Sequence, residues 1–181
     1  NHISFISRGK SLTMGTWNGP VKQLGKKHGV RYKHSKYLNG DKKILLISDK
    51  SNEETVEIFN IKSNKSKNYV LNIGRIINVK KSPTKDDFTF INHKHELYLF
   101  SPKDGKALKV DRSEYDFIQT NWSPCGKFIT YNCSITSRCS IIKIYDISKK
   151  KIHSITSPIN KDSSPSFDAS GKYLTFISIS L

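Results

Sequence analysis

A chain of 181 residues with 31 Lys and Arg against 15 Asp and Glu carries a formal charge of +16, yet no apolar run reaches 18 residues, which excludes a transmembrane helix. With 22 Ile and two Ala, the composition favours strand over helix, because β-branched side chains suit a pleated surface and alanine is the strongest helix former. The length suffices for one domain, or a large piece of one, with a substantial core.

The chain opens at NHISFIS, already in mid-pattern and without the charged-then-apolar order of a signal peptide, so it reads as a segment excised from a longer protein. The first strands follow: FISRGK bends into SLTMGTW, and VKQLGKK supplies a more polar third segment. At 37–48 comes YLNGDKKILLIS, a turn rich in Gly, Asn and Asp that leads into an alternating apolar strand. VEIFNI and KNYVLNI then take the places of SLTMGTW and VKQLGKK. The order repeats as KSPTKDDFTFIN, ELYLFSP and KALKVDR, again as WSPCGKFITYNC, IIKIYDI and KIHSITS, and starts once more at FDASGKYLTFIS.

The first residues of the four turn units, Tyr37, Lys81, Trp122 and Phe167, stand 44, 41 and 45 positions apart. That is the period of a β-propeller blade, in which four antiparallel strands run from an innermost A to an outermost D. The expected fold is therefore all-β: an arc of four-stranded antiparallel blades, three complete and two partial. The expected boundaries are a partial blade at about 1–33, full blades at about 34–77, 78–118 and 119–163, and a partial blade at 164–181. This requires 17 strands and makes the whole chain one propeller segment. The aromatic before each turn, Trp122 or Phe167, is expected to wedge between blades, and Lys81 to leave its own junction looser.

The turn units resemble TolB and tricorn propeller repeats, whose signature is an aromatic followed by Ser-Pro-Asp-Gly-Lys and a strand. The runs FISRGK (5–10), HGVRYKH (28–34), INHKHELYLF (91–100), DRSEYDFI (111–118) and SPSFDASGKYLTFIS (164–178) are similar, in order and spacing, to the second propeller of tricorn-type proteases. Thr84-Lys85 in place of Asp-Gly, Cys125 in place of Asp, and Lys81 in place of an aromatic depart from the pattern. The resemblance implies a cytoplasmic, self-assembling serine peptidase as parent, acting on oligopeptides. Its catalytic residues would lie in other domains, and this segment would be scaffold and peptide-access gate. A stand-alone protein-binding propeller without protease function is the alternative.

No catalytic residue, cofactor or metal site is expected within the segment, for G-x-S-x-G, H-E-x-x-H and the phosphate-binding glycine loops are all missing. His93 and His95 lack nearby partners for a metal. Cys125, Cys133 and Cys139 read as free thiols in or near a hairpin loop. The positive charge rests on 26 Lys scattered through turns, with five Arg; nucleic-acid readers favour Arg, so nucleic acid is not the expected partner and neither is a membrane. In an up-and-down blade the B–C turns and D–A connections emerge on one face. That places Arg8, Lys10, His28 and Lys94 beside the substrate-channel candidates Arg31, His34, Arg75, His93 and Arg112, a cationic set suited to acidic side chains or a peptide's terminal carboxylate. Diffuse surface charge is the competing interpretation.

Overall fold

The computed structural model describes residues 2–26, 28–50, 53–116 and 118–180. Lys27 of VKQLGKK and Phe117 of DRSEYDFI lie outside the described residues. Among those described there are seventeen strands and no helix. The first sheet orders β1 (His2–Ser7), β2 (Lys10–Gly15) and β3 (Lys22–Leu24) side by side. The second holds β4 (Tyr32–Tyr37), β5 (Lys43–Ser48), β6 (Thr55–Asn60) and β7 (Lys65–Tyr69), and the third β8 (Ile76–Lys81), β9 (Phe88–Asn92), β10 (Glu96–Ser101) and β11 (Lys106–Arg112), each in sequential order. A fourth set comprises β12 (Thr120–Trp122), β13 (Phe128–Ser134), β14 (Ser140–Asp146) and β15 (Lys151–Ser154). It is followed by β16 (Lys161–Phe167) and β17 (Leu174–Ile179). Neighbours consecutive in sequence pair antiparallel, as short hairpin connections demand.

Separate blades were expected, but β14 and β16 also meet, in parallel, at the single pair Ser140 and Lys161. The cause is local: the Ser140 N–H donates to the Asn160 carbonyl at 3.1 Å, and its hydroxyl donates to the Asp162 carbonyl at 2.5 Å.

The four A–B turns close on one frame. The N–H of Leu38, Ser82, Ser123 and Asp168 donates five residues ahead, to the carbonyls of Lys43, Asp87, Phe128 and Tyr173, at 2.8–3.0 Å. In two turns a side chain doubles this bond, since Phe128 N–H also donates to Ser123 Oγ and Tyr173 N–H to Asp168 Oδ1. Gly126 takes φ +67°, and a Cβ there would lie 2.1 Å from Thr84 Oγ1, so the turn needs glycine for its conformation and its space alike. The KSPTKDDF turn keeps the frame without glycine. Lys81 is partly buried there, its amine 3.6 Å from Asp86 in the same turn.

Two compact units make up the chain: Asn1–Ile76 with Pro102–Lys106, and Ile77–Ser101 with Ala107–Leu181. In the first, Leu24, Val30, Tyr32, Ile44, Leu46 and Phe59 form a core that mixes residues of the first and second sheets. In the second, Ile91 and Leu97 of the third sheet pack in one cluster with Trp122, Ile129, Tyr131 and Tyr145 of the fourth. Trp122 is 9% exposed, whereas Phe167 is only half-buried. Trp122→Ala should therefore cost about 3–5 kcal/mol in urea unfolding, and Phe167→Ala distinctly less; equal losses would contradict this packing.

Candidate functional site

Four strands run into the repeated turns: β4, β8, β12 and β16. Three residues before each turn's first residue stand His34, Asn78, Gln119 and Ser164; one residue before it stand Lys36, Lys80, Asn121 and Ser166. Between them Val79, Thr120 and Pro165 are buried. A strand sends alternate side chains to opposite faces, so in β8, β12 and β16 one face enters the blades and the other is a polar wall. In the second unit that wall holds a recess of about 240 Å³, lined by Asn78 and Lys80 of β8, Gln119, Thr120 and Asn121 at β12, and Ser164 and Pro165 of β16.

Side chains tie these strands together. The Lys80 amine donates to the Thr120 carbonyl and, at 3.4 Å, to Asn121 Oδ1. Asn121 Nδ2 donates to the Pro165 carbonyl at 3.4 Å and to Ser166 Oγ at 3.2 Å. Gln119 Oε1 accepts from both the N–H and the hydroxyl of Ser164, at 2.9 and 3.0 Å. Ser164 and His34, at equivalent places, share a left-handed backbone (φ +53° and +47°) beside a register shift. Neither is a glycine, so sequence gives no warning of it.

The sequence-selected residues fall in both units. Arg31, His34 and Arg75 belong to the first, His93 and Arg112 to the second. His34 lies inside β4 rather than in a loop, and is half-buried; the other four are exposed. Within the first unit, the β1–β2 turn meets the connection into β4: Tyr32 N–H donates to the Gly9 carbonyl at 2.8 Å, and a Cβ on Gly9 would lie 2.9 Å from Arg31 Cγ. Within the second, Ser113 N–H donates to the His95 carbonyl at 2.9 Å, which joins the 93–95 turn to the segment carrying Arg112.

Composition did not reveal the carboxylates among these arginines. Asp49 Oδ1 accepts the Arg31 N–H at 2.8 Å, Glu54 Oε2 the Ile76 N–H at 2.6 Å, and Asp111 Oδ1 the Arg112 N–H at 2.8 Å. Asp111, first residue of the DRSEYDFI run, also takes the Tyr131 hydroxyl at 2.8 Å and the Lys143 amine at 2.9 Å. Burial alone would raise its carboxyl, but bonds from Lys143, Tyr131 and the Arg112 N–H outweigh burial and hold it below its ordinary value. Burial first, and then the Asp111 charge, push the Tyr131 phenol far up.

The three cysteines are free; Cys133 is buried near the end of β13, beside the turn into β14, and burial raises its thiol. Among the described residues no three His, Cys, Asp or Glu side chains gather as a metal site. Hydrogen bonding and exclusion by shape are the chemistry these residues offer.

The family model described as the tricorn protease second beta propeller domain matches residues 1–179. A Tricorn-like protease C-terminal subunit of Sulfurisphaera tokodaii is 38% identical over 98% of the chain and 20% of that protein. The crystal structure of the tricorn protease superposes with a TM-score of 0.83 at 22% identity, over 98% of this chain and 18% of that one. A TolB structure from Agrobacterium tumefaciens gives 0.66 at 14% identity, over 99% of this chain and 66% of the other. The chain thus spans 20% of the length of the Sulfurisphaera relative and 16% of that of a tricorn protease homolog of Saccharolobus solfataricus, to which it is 36% identical.

The third sheet sets a pH dependence. A hydrogen bond from Lys109 is the main cause that draws the Glu96 carboxyl down to about 2, against burial and with help from Asn92 and Tyr98. A depressed carboxyl contributes stability that is complete above its unfolded value and is lost as pH falls through the folded one. Between pH 4.5 and 2 the urea midpoint should fall faster for the native protein than for Glu96→Gln. Parallel curves would contradict the assignment.

Proposed function

Because this chain belongs to the tricorn protease second β-propeller family, as a non-catalytic propeller portion of a larger chain, we propose that it is the scaffold and peptide-access gate for proteolysis carried out by other domains. The polar wall of the inner strands carries this reading. It has hydrogen-bonding groups and a recess of about 240 Å³.

In this reading the parent is a cytoplasmic, self-assembling serine peptidase, and its oligopeptide substrates pass this segment on the way to the catalytic domains. Arg31, His34, Arg75, His93 and Arg112 are the candidates that meet them. Four of the five are exposed, and the left-handed His34 stands on the inner strand itself. Charge-assisted hydrogen bonds from guanidinium groups suit a terminal carboxylate. The neighbouring Asp49, Glu54 and Asp111 disfavour acidic side chains spread along a peptide.

Titration of the intact protein with one peptide, its C-terminus free or amidated, tests the arginine assignment. The free acid should bind more tightly, moderate salt should narrow the gap because the groups are exposed, and Arg31→Gln with Arg112→Gln should erase it. Equal affinity for the two ends would remove the carboxylate role.

A further inference from the structure

The recess between β8, β12 and β16 has its one cation already committed, since the Lys80 amine is held by the Thr120 carbonyl and Asn121 Oδ1. What remains open is neutral. Asn78 is exposed, and its side-chain amide has no hydrogen-bond partner among the described residues. Gln119 spends its oxygen on Ser164, which leaves its amide nitrogen facing outward without one. Thr120, whose carbonyl holds the Lys80 amine, turns its buried side chain to the blade face of β12, so its hydroxyl takes no part.

The open groups are therefore side-chain amide donors and acceptors, with neither carboxylate nor uncommitted amine. Such a set discriminates poorly between side chains. It does match the alternating N–H and C=O of an extended polypeptide, which presents both kinds of group at a spacing that no sequence alters. We propose that this recess reads the main chain of an extended peptide through the neutral side-chain amides of Asn78 and Gln119, and is indifferent to side-chain sequence. The proposal rests on the gate reading above and assigns it a mode of contact distinct from carboxylate capture.

Fluorescence anisotropy on the intact protein tests this with three labelled hexapeptides: a neutral Ala/Ser sequence, the same sequence N-methylated at alternate amides, and a Glu-rich one. All three carry amidated C-termini, so that the arginines contribute nothing specific. N-methylation should weaken binding about fivefold or more, the value of at least one ordinary hydrogen bond, while exchanging neutral residues for Glu should change it far less. Gln119→Glu keeps an acceptor for Ser164 and puts a charged oxygen where the N–H donor stood; it should weaken the neutral peptide. Asn78→Leu, at an exposed side chain that supports no bond of the fold, should do the same. If N-methylation is tolerated, or affinity follows Glu content, the main-chain proposal falls and the gate reading stands. If no peptide binds the intact protein, both fall.

Discussion

A sheet of this protein buries its face only against another sheet, and the rest of the molecule is organised around that constraint. Leu46, Phe90, Tyr131 and Phe176 occupy equivalent places on the second strand of successive repeats. The first three are fully buried, while Phe176 is 38% exposed. All are large and mostly apolar, so residue type does not explain the difference. Among the described residues no sheet stands over β17, and Ile177 and Ile179 on that strand are exposed as well. Burial here is a property of adjacency, as it is in repeat architectures generally.

Polar side chains fix the relation of one sheet to the next. Hydrophobic faces are tolerant of sliding, but directed bonds are not. In the second unit Asp111, at the end of the third sheet, gathers Tyr131 and Lys143 of the fourth. Asn121 and Gln119 do the same between the fourth set and β16. The Asp111 bonds are short and partly buried, so each contributes more than a solvated surface pair such as Gln119 and Ser164 would. The ties from Asn121 and Gln119 also shape the polar wall, so there structure and candidate site share residues.

The repeat period and the alternation after each turn made the strand order legible, down to the three strands before Gly25 and the two after Asn160. Trp122 as a buried wedge was legible for the same reason. The inner wall was not: Asn78, Gln119, Asn121 and Ser164 are commonplace polar residues, and only the register of their strands brings them together. Counting back from the turn aromatic would have aligned them with His34, and that is the one signal the sequence held. The carboxylates beside the arginines were hidden because a net charge averages over positions. Asp49, Glu54 and Asp111 act locally, on single backbone N–H groups, and leave almost no mark on composition.

The contact between Gly126 and Thr84 couples the histories of two turns. Thr84 fills the volume a side chain at 126 would need, while the left-handed backbone at 126 independently refuses one. Position 84 is thus free to shrink without consequence for its neighbour, but 126 gains no freedom when it does. Substitutions at the pair should accumulate in one direction only: variety at the turn that has lost its glycine, and fixity at the turn that kept it.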